Sequence, residues 1–266
     1  IDDRVSAIVP IVAAGNYMDS ILSGSFANGL VPKDISTDSV EAQNTMKYFD
    51  LCTYAKRINK PVLYVIATND EYFNLIAFND TFNAFNTTDK TLIIWPNSNH
   101  YGDPYWMDVI LDSVYPWLES LVSGQLPVKI VSVKYRVMKY GVYQKISVSA
   151  EAIVGSGNSI FLIHREGTMV SDWDIDEMGL EGGAYRAYFS VKNSPLAAFY
   201  VAIGRYKDDK LIIFCSTPIY VIRVKPLLLP FFAIIGMVAL ILLSQQVYGI
   251  TIREIWNRTR GKIMEL

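Results

Sequence analysis

The sequence predicts an α/β region over 1–123, an all-β region over 127–225 that reads as an immunoglobulin-like β-sandwich, and a transmembrane helix over 226–250. Three observations carry this expectation. Apolar strand-like runs alternate with helical patterns in the first half, which implies parallel pairing with right-handed crossovers. After the 124–127 Gly-Gln-Leu-Pro stretch the apolar period shortens to two. From Pro226 the chain turns wholly apolar.

Taken in order, residues 5–13 (VSAIVPIVA) form the first strand, and 17–35 mix Gly, Ser, Asn and Pro as a loop-rich excursion or partial lid. A helix is expected over 37–58, started by Thr37 or Asp38 with Glu41 in its first turn and a possible break near Asp50. Residues 62–68 and 92–96 are short β-branched and aliphatic runs with no helical period, so each reads as a strand buried on both faces. A short helix near 80–85 lies between them. Trp106, Val109, Ile110, Val114, Trp117, Leu118 and Leu121 recur at spacings of three and four, which predicts a helix over 104–123 packed by one face. Six or seven short strands then fill 128–224, separated by Gly, Asn-Ser-Pro and Lys-Asp-Asp turns.

Residues 226–243 hold no charge, and twelve of the eighteen are Leu, Ile, Val or Phe. On an insertion scale these favour a membrane helix by about 4–7 kcal/mol. Arg253, Arg258, Arg260 and Lys262 follow the span, against Arg223 and Lys225 before it. That bias places a cytoplasmic tail at 251–266 and everything earlier outside the cell, single-pass in the cell membrane. The expected partners are therefore the lipid bilayer through 226–250 and a membrane or cell-envelope protein. Asn79 and Asn86 open glycosylation sequons compatible with that side.

A formal net charge of −2 and 51% hydrophobic composition exclude a disordered chain and leave no basic field for nucleic acid. Cys52 and Cys215 are far apart and read as buried free thiols; no metal-ligand spacing is present, and neither metal nor cofactor is expected. The aspartates at 172, 174 and 176 with Glu177 lack the glycine and later glutamate of a calcium loop and read as a solvated acidic loop. His164, mid-strand, is read as structural.

The chemistry sits at two strand ends. The run 60–71 ends on Asp70 and the run 92–100 ends on His100, and ligands gather outside the carboxyl ends of strands in open parallel sheets. An acid and a histidine so placed are two members of a hydrolytic triad. Each also has a plainer reading, Asp70 as a turn or N-cap carboxylate and His100 as a turn histidine. Tyr101, Tyr105 and Trp106 line a cleft or pack the last helix. Glu71, beside Asp70, is the less favoured acid and is free in this reading to pair with a surface cation instead.

The segments YFD at 48–50, KPVLYVIATNDEYF at 60–73 and WPNSNH at 95–100 resemble the last third of serine α/β-hydrolases. Similar families are the acetyl xylan esterase-like and prolyl-oligopeptidase-like hydrolases and the PhoPQ-activated pathogenicity-related family, over residues 5–120. The resemblance implies a partial α/β-hydrolase sheet, with Asp70 as the acid and His100 as the general base. It also implies a serine in a G-x-S-x-G elbow upstream. No G-x-S-x-G occurs in the chain, so the nucleophile is expected on a preceding N-terminal portion or a cleaved, associated chain. The expectation is a membrane-anchored extracytoplasmic esterase or peptidase. The alternative is a non-catalytic ectodomain with a degenerate hydrolase fold.

Overall fold

The computed structural model describes residues 2–224 apart from 24, 33, 35, 102–106, 108–109, 125–127, 141–142, 168–171 and 193. Strands β1 (Val62–Ala67) and β2 (Lys90–Trp95) pair in parallel from Val62↔Lys90 to Ala67↔Trp95. Helix α4 (Leu75–Ala84) crosses between them, as parallel pairing requires. All six residues of β1 are buried, which accounts for a sequence with no polar alternation. The α4 helix starts earlier than its sequence suggests because Asn74 caps it, accepting the Ala77 N–H at 2.7 Å.

Residues 8–11 flank β1 on its other edge, but only as two parallel bridges, Ile8↔Val62 and Ile11↔Val65. Pro10 has no N–H to donate, and Val12 turns to a left-handed φ of 44°. The expected continuous strand over 5–13 is therefore interrupted. After α1 (Tyr17–Leu22) and a 3₁₀ turn (Phe26–Leu30), the expected 37–58 helix is two helices, α2 (Val40–Phe49) and α3 (Leu51–Ala55). Ser39, rather than Thr37 or Asp38, caps α2 through the Ala42 N–H.

Asp50 causes the break between α2 and α3. Its carboxylate accepts the N–H groups of Asn16 (2.9 Å), Tyr17 (3.0 Å) and Cys52 (2.8 Å), so it starts α3 and anchors the chain entering α1. Asp50→Ala should cost roughly 2–3 kcal/mol of stability, since three part-buried donors lose their acceptor. Urea unfolding midpoints of the two proteins measure this.

Within the 104–123 region, a π-helical turn (Ile110–Val114) leads into α5 (Tyr115–Ser123), with Pro116 in its first turn and Gly124 closing it in the left-handed conformation.

The expectation of a separate immunoglobulin-like sandwich over 127–225 is overturned. The strands there are β3 (Lys129–Tyr140), β4 (Tyr143–Ile153), β5 (Ser159–Glu166), β6 (Asp174–Glu177), β7 (Gly179–Glu181), β8 (Ala184–Val191), β9 (Leu196–Lys207), β10 (Lys210–Ser216) and β11 (Tyr220–Arg223). Five of them join the first-half strands in one seven-stranded mixed sheet, ordered β1-β2-β10-β9-β5-β6 with β11 also on β9. The join is at Ser216↔Leu92, where the Ser216 hydroxyl also donates to the Leu92 carbonyl at 3.0 Å. Only β3-β4-β8-β7 form a second sheet.

The physical reason lies in β9. Ala198, Tyr200 and Ala202 pack in one core with β1, β2 and α4; Ala197, Phe199, Val201 and Ile203 pack in another beneath the second sheet. A strand buried on both faces cannot serve a two-sheet sandwich whose outer faces meet water. It belongs at the centre of three layers. Pairing β10 onto β2 also removes an apolar strand edge that would otherwise face solvent.

Gly204 permits this arrangement at a bulge in the β9–β10 ladder: a Cβ there would lie 2.4 Å from the Ile212 carbonyl oxygen. Asn79 on α4 makes a further tie, its side-chain amide donating to the Ile219 carbonyl (2.8 Å) and accepting the Ile219 N–H (3.1 Å). Both ends of that amide are thus engaged, which gives no support to a glycan at this sequon.

Among the described residues no helix is long and apolar enough to cross a membrane, and the transmembrane helix expected over 226–250 falls outside them, as does the tail 251–266. Cys52 and Cys215 are free thiols.

Candidate active site

β1 and β2 end side by side, and their loops continue the ladder. Thr68 N–H donates to the Trp95 carbonyl and Asn69 N–H to the Ser98 carbonyl, both at 3.0 Å. The Thr68 hydroxyl accepts the Asn97 N–H at 2.8 Å. Asn97 sits at φ 57°, a left-handed turn that Asn tolerates better than a branched residue, and this bends the β2 loop back over β1. Its side chain is gripped by Trp173, whose N–H it accepts (2.6 Å) and to whose carbonyl it donates (3.0 Å). A residue from beyond the supposed domain boundary therefore holds the histidine loop in place.

This folding brings Asp70 and His100 together. The Asp70 Oδ2 lies 2.8 Å from the His100 Nδ1. The other carboxylate oxygen, Oδ1, accepts the N–H groups of Tyr72 and Phe73, each at 2.8 Å. The Asp70 side chain is wholly buried, whereas that of His100 is 23% exposed. The acid is thus fixed by backbone and the imidazole can be reached from solvent. With Nδ1 committed to the carboxylate, Nε2 is the nitrogen available for exchanging protons with a third group.

Burial pushes the Asp70 carboxyl above its ordinary value, against the opposing pull of the Phe73 N–H, the His100 ring and the Tyr72 N–H. A folded-state value raised above the unfolded one stabilises most below the unfolded value, and that stability is lost as pH rises through the folded value. Against a non-titrating Asp70→Asn variant, the wild type should therefore lose relative stability as pH climbs from the ordinary aspartate value, about 4, through the raised value. Urea midpoints of both proteins across that window check the sign.

Among the described residues no cation pairs with Glu71, the alternative its sequence left open. Its carboxylate accepts the His100 backbone N–H at 3.1 Å, and its carbonyl accepts the Phe26 N–H at 2.7 Å. It ties the histidine loop to the 25–31 excursion. The sequence offered no signal for this beyond the adjacency of two acids. Rings surround the imidazole: Tyr72 at 4.5 Å between centroids, Tyr101 at 5.6 Å and Phe73 at 5.8 Å. Of the three aromatics expected near the cleft, Tyr101 is therefore at the histidine, while Tyr105 and Trp106 lie outside the described residues.

His164 sits elsewhere, in β5, with Nε2 2.9 Å from Asp176 and its ring stacked on Phe189 at 4.3 Å. The expected acidic loop is in part strand β6, and Asp176 is that histidine's partner. Among the described residues no cluster of His, Cys, Asp and Glu could hold a metal ion.

A search of curated proteins found no significant match. Among solved structures, the chain is similar to the monoacylglycerol lipase of Paleococcus ferrophilus, at 20% identity over 44% of this chain and with a TM-score of 0.29. The alignment spans 60% of that lipase chain. Residues 1–155 match the family described as PhoPQ-activated pathogenicity-related protein, more than half of the 266 residues and including both Asp70 and His100. The chain belongs to the PhoPQ-activated pathogenicity-related family.

Proposed function

We propose that this chain carries the acid and the general base of a serine-type hydrolase acting on esters or peptides by acyl transfer. The observation that supports it is the 2.8 Å contact between His100 Nδ1 and the buried Asp70 carboxylate at two neighbouring strand ends. A carboxylate on Nδ1 holds the proton there and leaves Nε2 basic.

In this reading a serine hydroxyl, supplied by an upstream or associated part of the protein, attacks the substrate acyl carbon as Nε2 takes its proton. Asp70 stabilises the imidazolium that forms. The tetrahedral intermediate collapses by breaking the bond to the leaving alcohol or amine, which receives that proton from Nε2. Water then attacks the acyl-serine by the same route, releasing the acid and restoring the serine.

A fluorophosphonate probe tests the assignment on the complete protein. Labelling should occur on one serine and fall at least a hundredfold in rate in His100→Ala, the lower end of what a general base contributes. Labelling that is indifferent to His100→Ala would sink the proposal.

A further inference from the structure

The hydrolase reading leaves unexplained why so much aromatic surface is exposed beside His100. Phe26 is 60% exposed and Tyr101 62% exposed. Both belong to one contiguous group of rings. Phe26 meets Tyr72 edge-on at 5.0 Å, Tyr72 lies 4.5 Å from the imidazole and 6.4 Å from Tyr101, and Tyr101 flanks the imidazole at 5.6 Å.

These rings are held in place. The hydroxyls of Tyr72 and Tyr101 are hydrogen-bonded to each other at 3.2 Å, and the Phe26 backbone is bonded to the Glu71 carbonyl. Burying such rings in a core would be ordinary. Fixing them at the surface, around a basic nitrogen, creates apolar area that a ligand can cover.

Chemistry decides which part of a substrate arrives there. The base that takes the nucleophile's proton must hand it to the departing group, so that group comes within hydrogen-bond reach of Nε2. Side chains packed around the imidazole therefore touch the leaving alcohol or amine more than the acyl chain. Resting on the proposed hydrolase activity, we infer that Phe26, Tyr72 and Tyr101 form a leaving-group subsite for an alcohol or amine bearing a flat apolar ring.

The test uses the complete protein with three esters: benzyl acetate, ethyl acetate and ethyl phenylacetate. The two acetates differ in the ring on the alcohol; ethyl phenylacetate moves the ring to the acyl side. Benzyl acetate should show a kcat/KM on the order of tenfold above that of ethyl acetate, with no such gain for ethyl phenylacetate. Phe26→Ala and Tyr101→Ala should each lower the benzyl-to-ethyl ratio about three- to tenfold, the worth of one aromatic contact. Tyr101→Phe, which keeps the ring, should retain most of the ratio.

A ratio near one, a ratio unmoved by both alanine variants, or a preference for the ring on the acyl side overturns the subsite while leaving the hydrolase standing. Turnover of none of the esters, with fluorophosphonate labelling indifferent to His100→Ala, overturns the hydrolase and the subsite together.

Discussion

If the proposed hydrolase reading holds, Asp70→Asn should lower kcat/KM of the complete protein by about four orders of magnitude, the usual cost of inverting the tautomer of a triad histidine. The geometry makes that outcome specific. Oδ1 of Asp70 accepts two backbone N–H groups, from Tyr72 and Phe73. An asparagine must keep its carbonyl oxygen there, since its amide group would set donor against donor. Its NH₂ is thereby forced toward the His100 Nδ1. That nitrogen must then accept, its proton moves to Nε2, and the imidazole can no longer take a proton from a nucleophile.

The fold should survive, because the variant is isosteric and keeps both backbone bonds. Ester hydrolysis gives the rate, and ¹⁵N chemical shifts of the imidazole give the tautomer. A four-decade loss is roughly 5.5 kcal/mol of transition-state stabilisation. Asp70→Asn in a His100→Ala background should cost far less, since the two groups act as one unit. An Asp70→Asn protein of near-normal activity would exclude Asp70 as the acid.

Tyr200→Ala is expected to destabilise the protein by about 3–5 kcal/mol and to unfold both sequence halves together. Tyr200 is completely buried on β9, packed edge-on to Trp173 at 5.5 Å, with its hydroxyl donating to the Ile94 carbonyl on β2 at 3.4 Å. Its own phenol is pushed well above the usual range by burial, so it stays a donor. Truncation leaves a ring-sized cavity where first-half and second-half strands meet, and leaves a buried carbonyl without this donor.

If the halves were independent domains, the loss would fall on one of two transitions. Because they share a sheet, a single transition should move as a whole. Urea unfolding followed by tryptophan fluorescence and by far-UV circular dichroism should give coincident curves. Because Trp173 also grips Asn97, the same change should loosen the histidine loop and reduce fluorophosphonate labelling.

The strand ends bearing Asp70 and His100 were legible because two parallel strands, one wholly buried and the other buried from Leu92 onward, leave a signature, aliphatic runs without alternation that lead into the ionisable residue. The break at Asp50, the free cysteines and most second-half strands were legible for the same kind of local reason. Their turns are marked by Gly, Asn and Asp, and their residues obey a period of two.

The membership of those strands was not legible. Alternation in 184–191 looks the same in a separate sandwich and in a sheet built onto a neighbour. The one clue was the unbroken apolar run at 197–203, which asks for burial on both faces. The roles of Glu71, Asn97 and Phe26 were hidden for a different reason. Each depends on a partner at least 29 positions away, and no local pattern encodes such a meeting.

Sequence by itself determined most of the strands and which two of them lead into Asp70 and His100, because periodicity and turn chemistry act over a few neighbours. Only the tertiary structure decided that the β-rich half completes the first half's sheet and props its histidine loop. Sheet pairing is chosen by which apolar faces and edges can be covered, and that is settled by the whole chain at once.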